Sequence, residues 1–329
     1  MSFTGKKILI TGGTGAIGKH LIKKLLNEKP ALIRVYSRDE YKQYVQYNEL
    51  KDYGNLQYII GDVRNYVSLY NAMADMDFVF HLAAMKHVPA CENHPYEAVQ
   101  TNVKGTYNVI QAAGEQQVNK VLLSSSDKAV SPTNTYGATK LMAERMIQAT
   151  EQGEHTPTIA VVRFGNVMGS RGSVIPLFQK QITTQSSITV TDLEMTRFMM
   201  TPDQAVTLMI KAITRSQGGE VFVLKMPVIK LKDLANVVIN RTCEQYGLNH
   251  HDIQIVEMGL RPGEKRYEEL MTYDESLKAY DLGDMFSING PAQSTSPRVT
   301  PGTYDSNQPT PISKEEIIQL LQEENLLKG

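Results

Sequence analysis

The first eighteen residues constrain this chain more than any other stretch. Lys7-Ile8-Leu9-Ile10 is a short apolar strand pattern that runs into Thr11-Gly12-Gly13-Thr14-Gly15-Ala16-Ile17-Gly18 and a helix pattern over 20–26. Strand, glycine turn and helix in that order put backbone N–H groups at a helix N-terminus, where a dinucleotide pyrophosphate can sit. Glycine permits the turn and the close backbone approach, and Gly18 permits tight packing of helix on sheet. Gly12, Thr14, Gly15, Ala16, Ile17 and Gly18 are therefore candidate cofactor contacts. A tight turn without a ligand is the competing reading.

Strand and helix patterns keep alternating, with strands read at 33–37, 56–60, 77–82, 119–124 and 158–164. That repetition predicts an α/β fold, a Rossmann-type doubly wound parallel sheet. At 329 residues the chain is long for one compact unit. Residues 1–165 are expected to form the dinucleotide-binding domain. Residues 166–329 are expected to be mainly a smaller C-terminal substrate-binding lobe, with some segments returning to the first domain. Ligands of such sheets bind outside the carboxyl ends of the strands. Asp62 and Val63 after the third strand and Ala83 after the fourth are candidate cofactor contacts, although Asp62 also suits a plain turn. Asn102, a poor helix former inside a helix pattern, is placed with them, held by a water or a backbone contact.

The second strand ends in Ser37-Arg38-Asp39, where an acidic residue binds a ribose 2′-hydroxyl and an Arg accommodates a 2′-phosphate. Ser37 and Arg38 come first, and Lys42 adds a second cation one turn on, so NADP is expected rather than NAD, with Asp39 arguing the other way. Beyond the fifth strand, Ser124-Ser125-Ser126-Asp127-Lys128 leads to Tyr136-Gly137-Ala138-Thr139-Lys140. Tyr136 and Lys140 fall at i and i+4 on one helical face. A neighbouring positive charge favours a phenolate, the form that can take a proton from an alcohol. A solvated Tyr packed on a Lys stem is the bland alternative.

Past Phe164 the regularity fails. A glycine and polar loop precedes an amphipathic helix over 174–181, and Arg197 and Arg261 are isolated arginines suited to a diphosphate-bearing substrate, or to surface ion pairs. Residues 289–311, rich in Pro, Ser, Thr and Gly, read as a wandering connector. Ser313-Lys314-Glu315-Glu316 reads as a capping box opening a last helix over 317–327. A net charge of −1 argues against general attraction to nucleic acid, and the two cysteines, Cys91 and Cys243, read as buried apolar residues of a reducing cytoplasm. No apolar run has membrane-spanning length.

These residues together resemble the extended short-chain dehydrogenase/reductase superfamily, and within it the inverting UDP-N-acetylglucosamine 4,6-dehydratases of pseudaminic acid and capsule-sugar pathways. The narrower marks are Val35-Tyr36-Ser37-Arg38-Asp39-Glu40, Ala84-Met85-Lys86-His87-Val88-Pro89, Ser126-Asp127-Lys128-Ala129, Arg163-Phe164-Gly165-Asn166-Val167, Gly169-Ser170-Arg171-Gly172-Ser173-Val174, Thr196-Arg197-Phe198 and Arg261-Pro262-Gly263-Glu264-Lys265. The related C5-retaining family, with Asp-Glu where Asp127-Lys128 stands, fits less well. Relatives often have Thr at Ser126 and Ser-Phe at Ala16-Ile17.

The resemblance implies a UDP-sugar substrate and no metal. Tyr136, assisted by Lys140, takes the 4-hydroxyl proton while hydride passes to NADP⁺, and Ser126 holds the oxygen on C4. Lys128 removes the C5 proton, Asp127 helps the 6-hydroxyl leave as water, and hydride returns to C6 with inversion at C5. Lys86 stands beside the nicotinamide, and Asn166, Ser173, Val174, Arg197, Arg261 and Glu264 line the UDP site. Relatives assemble as dimers or hexamers, so a homo-oligomer is expected. The alternatives are a reaction halted at the 5,6-unsaturated sugar, a UDP-hexosamine 4-epimerase, or a nucleotide-bound protein without catalysis.

Overall fold

The computed structural model describes all residues except Met1, 151–152, 154–155, 170–171, 291–294, 324–325 and 327–329. Six strands of the central sheet come from the first half: β1 (Lys7–Thr11), β2 (Leu32–Ser37), β3 (Leu56–Ile60), β4 (Phe78–His81), β5 (Lys120–Ser124) and β6 (Thr158–Arg163). They lie in the order β3-β2-β1-β4-β5-β6, all parallel. The order reverses between β1 and β4, and a crevice opens at such a point. Beyond β6, Val221–Leu224 continues the parallel run, and Met285–Ile288 and Ala279–Asp281 complete nine strands through antiparallel pairings. Three strands of the second half thus belong to the main sheet.

The helices that follow these strands are α1 (Ala16–Leu26), α2 (Glu40–Glu49), α3 (Tyr66–Met73), α4 (Val88–Asn93), α5 (Pro95–Ala98), α6 (Gly105–Glu115) and α7 (Thr135–Gln148). In α1 the buried residues are Gly18, Leu21, Ile22, Leu25 and Leu26, a spacing that puts them on one stripe. Strands covered on both faces need apolar residues throughout, and β4 is buried along its whole length. Edge strand β3 alternates less cleanly and is only half-buried.

The second half also builds an apolar cluster of its own. Phe178 and Ile182 of α8 (Val174–Gln185), Ile188, Leu234 and Val238 meet Ile317 and Leu321 of the terminal helix. That helix runs over Lys314–Glu323. Its capping box is reciprocal: Ser313 N donates to Glu316 Oε2 at 2.8 Å, and Glu316 N donates to Ser313 Oγ at 3.2 Å. The expected extension to 327 falls largely outside the described residues.

The connector is mostly irregular where it is described, but it is tied down at one point. Tyr304–Asp305 pairs with Glu269–Met271, and the Tyr304 ring packs 4.8 Å from Phe198 and 5.3 Å from Phe286. One strand pair and one half-buried aromatic fix this part of a segment whose composition is loop-like. Both cysteines are buried free thiols, and no helix among the described residues is long and apolar enough to cross a membrane.

Candidate active site

A cleft of about 860 Å³ follows the carboxyl ends of the strands. At one end it is walled by Gly12, Thr14, Gly15, Ala16, Ile17 and Gly18. Gly12 has φ +69°, and a Cβ there would lie 2.7 Å from Ala83 N; a Cβ on Gly18 would lie 2.5 Å from Gly13 O. Only glycine lets the turn close this tightly on β4 and on α1. No side chain caps α1 at Gly15, so the first-turn N–H groups keep their capacity for an anion. The arrangement fits a dinucleotide pyrophosphate.

Ser37, Arg38, Lys42, Asp62, Val63 and Ala83 also line this end. The charges there are already shared. Asp39 accepts from Lys42 N at 2.9 Å, capping α2, and its carboxylate pairs with the Lys42 ammonium. Arg38 lies 3.6 Å from Asp62. Burial works against the Asp62 carboxylate, but hydrogen bonds from Arg64 hold it below the usual range.

Asn102 is not on the cleft wall. Its Oδ1 accepts from Met85 N at 2.8 Å, and its Nδ2 donates to Met85 O and Thr139 Oγ1, each at 2.9 Å. The backbone partner expected of it exists, yet it serves to tie the loop before Lys86 to α7. Lys86 itself lines the cleft, and burial lowers its ammonium below the ordinary lysine value.

The other end is built from buried ionisable groups. Ser126, Asp127, Lys128, Tyr136 and Lys140 all line it. The first turn of α7 is capped by Asn134, whose Oδ1 accepts from Gly137 N at 2.9 Å. Gly137 packs directly on the Asp127–Ala129 turn: a Cβ there would lie 2.0 Å from Lys128 O. Its lack of a side chain sets how near Lys128 comes to Tyr136.

Asp127 is 1% exposed. Its Oδ1 accepts from Ser126 Oγ at 2.8 Å and from Lys128 Nζ at 3.1 Å, while Oδ2 is buried without a partner. A buried bare acceptor is costly until it takes a proton or a donor. Burial alone would lower the Lys128 ammonium, but the Asp127 and Glu268 carboxylates outweigh it and hold Lys128 above ordinary lysine.

Tyr136 departs from the expectation. Burial pushes its phenol up to about 12, against the pull of the Ser126 hydroxyl and the Lys128 ammonium. The phenolate is not the resting form at neutral pH, and the cation opposing burial is Lys128. Lys140 instead donates to Ser124 O at 2.7 Å, and burial brings its ammonium down to about 8 despite Glu144.

Of the residues assigned to a UDP site, Asn166 and Ser173 line the cleft, whereas Val174, Arg197, Arg261 and Glu264 do not. Arg197 is occupied by backbone carbonyls, donating to Lys265 O at 2.7 Å, Thr196 O at 2.8 Å and Arg266 O at 3.0 Å. Glu264 Oε2 accepts from Arg261 N at 3.1 Å, closing the loop on itself. That loop is pinned beside the reaction centre, because Lys265 Nζ donates to Ser131 O at 2.7 Å and Thr133 Oγ1 donates to Gly263 O at 2.9 Å. Ser170 and Arg171 lie outside the described residues. Arg163 is an internal tie, bonded to Glu144 and Glu275.

Two groups had no signal in the sequence. Glu268 is buried 3.3 Å from Lys128, and only the closure of a distant segment puts it there. His81 bridges Thr11 Oγ1 at 2.7 Å and Thr106 Oγ1 at 3.2 Å, and burial with the charge of Lys140 brings its imidazole down to about 3.

Comparison with known proteins agrees with this architecture. An X-ray structure of Pen from Bacillus thuringiensis matches with a TM-score of 0.95 and 53% identity, covering 100% of both chains. A UDP-N-acetylglucosamine 4,6-dehydratase (inverting) of Campylobacter jejuni (strain 81-176) is 42% identical over 87% of this chain and 84% of its own. A UDP-glucose 4-epimerase of Rickettsia bellii (strain OSU 85-389) is 40% identical over 87% and 83%. The model of the polysaccharide biosynthesis protein family matches residues 8–290. With its glycine turn and its Tyr136 and Lys140 on one cleft, the chain belongs to the polysaccharide biosynthesis protein family, within the extended short-chain dehydrogenases/reductases.

Proposed function

We propose that the chain is a UDP-N-acetylglucosamine 4,6-dehydratase that inverts C5 and yields a UDP-4-keto-6-deoxy-hexosamine without net use of cofactor. The observation that carries this reading is an acid and a base, Asp127 and Lys128, joined at 3.1 Å on the cleft wall that Tyr136 shares. An epimerase needs no such pair. The Campylobacter jejuni relative supports it.

A nicotinamide dinucleotide bound along the glycine turn supplies reversible two-electron oxidation of C4 and, when oxidised, a positive charge that favours the Tyr136 phenolate. Gly12, Gly15, Gly18 and the start of α1 would hold its pyrophosphate. Ser37, Arg38 and Lys42 support NADP over NAD, and tighter binding of NAD than of NADP would reverse that choice. Tyr136 takes the proton of the 4-hydroxyl. Ser126, bonded to Asp127 and in reach of the phenol, orders the two side chains. The 4-ketone acidifies the C5 proton, which Lys128 removes, and Asp127 delivers a proton to the departing 6-hydroxyl from Oδ2. Return of hydride to C6 and of a proton to the opposite face of C5 saturates the double bond and inverts that centre. Homo-oligomer assembly is proposed with it, supported by the exposed Tyr96, Val99, Tyr107 and Met142 on neighbouring helices.

The test is product NMR after incubation with UDP-N-acetylglucosamine. A 6-methyl 4-keto sugar is expected, and Lys128→Ala should abolish elimination while leaving C4 oxidation. A C4 epimer would instead establish the second reading, which the Rickettsia bellii relative favours. A 5,6-unsaturated sugar would mean the same chemistry halted before reduction.

A further inference from the structure

Glu268 reaches the centre from the far part of the chain. Its side chain is buried, its backbone N donates to Ser306 Oγ at 3.0 Å, and Ser306 N donates to its carbonyl at 2.8 Å. Lys128 Nζ lies 3.3 Å from its Oε1 and 3.1 Å from Asp127 Oδ1. The charged groups acting on it are Asp127, Lys128 and Arg197. Burying an ion pair costs desolvation that the pair seldom recovers. Lys128 between two carboxylates is moreover a cation, and a cation cannot take the C5 proton.

We propose that Glu268 is a positioning residue for the C5 step: it holds the Lys128 amine at the cleft and takes the proton that Lys128 must shed to act as a base. This rests on the dehydratase reading. The proton moves from Lys128 Nζ to Glu268 Oε1, leaving a neutral amine and a neutral carboxyl with no change in net charge. The amine takes the C5 proton and becomes ammonium. The C5–H electron pair forms the C5–C6 double bond as the C6–O bond breaks, and the departing oxygen leaves as water with the proton that the Asp127 carboxylate relays from the Lys128 ammonium 3.1 Å away, while Glu268 keeps the other proton. Burial and the Asp127 charge raise the Glu268 carboxyl above ordinary glutamate, against Lys128 and Arg197, so it is suited to hold that proton.

Glu268→Gln keeps an oxygen for Lys128 to donate to but accepts no proton, and Glu268→Asp keeps a carboxylate. Deuterium wash-in at C5 of UDP-N-acetylglucosamine in D₂O, followed by NMR, reads the C5 step. A burst of reduced-cofactor absorbance reads C4 oxidation separately. Glu268→Gln should slow C5 exchange about 100-fold, shift its pH profile to higher pH and leave C4 oxidation nearly unchanged, with partial recovery in Glu268→Asp. Wild-type exchange and pH profile in both folded variants would overturn the role. Equal loss of both steps, with Glu268→Asp no better, would also overturn it by marking a structural residue. No C5 exchange in the wild type would remove the dehydratase reading and this role together.

Discussion

The two ends of the cleft are built on opposite principles. Around residues 12–18 the wall is made by leaving side chains out, and its shape follows from a few consecutive backbone conformations. Around residues 124–140 it is made by packing ionisable side chains into the interior, where each needs partners that the local sequence does not supply. The glycine turn is therefore a local, steric object. A reaction centre with displaced protonation is a tertiary, electrostatic one, because ions taken out of water must be neutralised by whatever the fold brings near.

The strongest way to break that contrast is to delete one atom at the charged end. Tyr136→Phe removes only the phenol oxygen from a buried ring, so steady-state turnover should fall about 10³-fold with the melting temperature close to wild type. Loss of folding along with activity would mean that packing, not proton transfer, dominates there.

At the glycine end the reverse is expected. Gly12→Ala should destabilise by roughly 3 kcal/mol, combining about 1–2 kcal/mol for a left-handed non-glycine residue with overpacking against Ala83, and should weaken dinucleotide binding. A denaturant melt with an unchanged midpoint would contradict the steric account.

The smallest effect tests a buried imidazole that does not line the cleft. His81, between Thr11 and Thr106, stays neutral in the fold down to about 3, whereas an unfolded histidine titrates near 6.5. Between those values the unfolded chain binds the extra proton. Stability therefore falls as pH is lowered through that window, by about 1.4 kcal/mol per pH unit. Urea melts at pH 7 and pH 5 should show a shallower loss in His81→Gln, and equal losses would assign acid sensitivity elsewhere.

What was legible follows the same division. The alternating strands, the glycine turn and the i, i+4 placement of Tyr136 and Lys140 are short-range patterns, and each is present in the fold. Asn102 has the backbone contact expected of it, but no spacing predicts that its amide matches the donor and acceptor of one backbone unit, Met85, away from the cleft wall. Arg197 resembled a phosphate ligand, but three carbonyls occupy its guanidinium. The 289–311 segment read as a wandering connector, and composition does not reveal that within it Tyr304 finds two phenylalanines.

By itself the sequence determined the six parallel strands of the first half, their alternation with helices and the glycine turn, since backbone preference and apolar periodicity act over a few residues. The tertiary structure alone decided the protonation of the reaction centre. Tyr136 and Lys140 are displaced by burial, and Lys128 is held as a cation by Asp127 beside it and Glu268 from far along the chain. Desolvation and the charge of a remote partner exist only once the chain has closed around them.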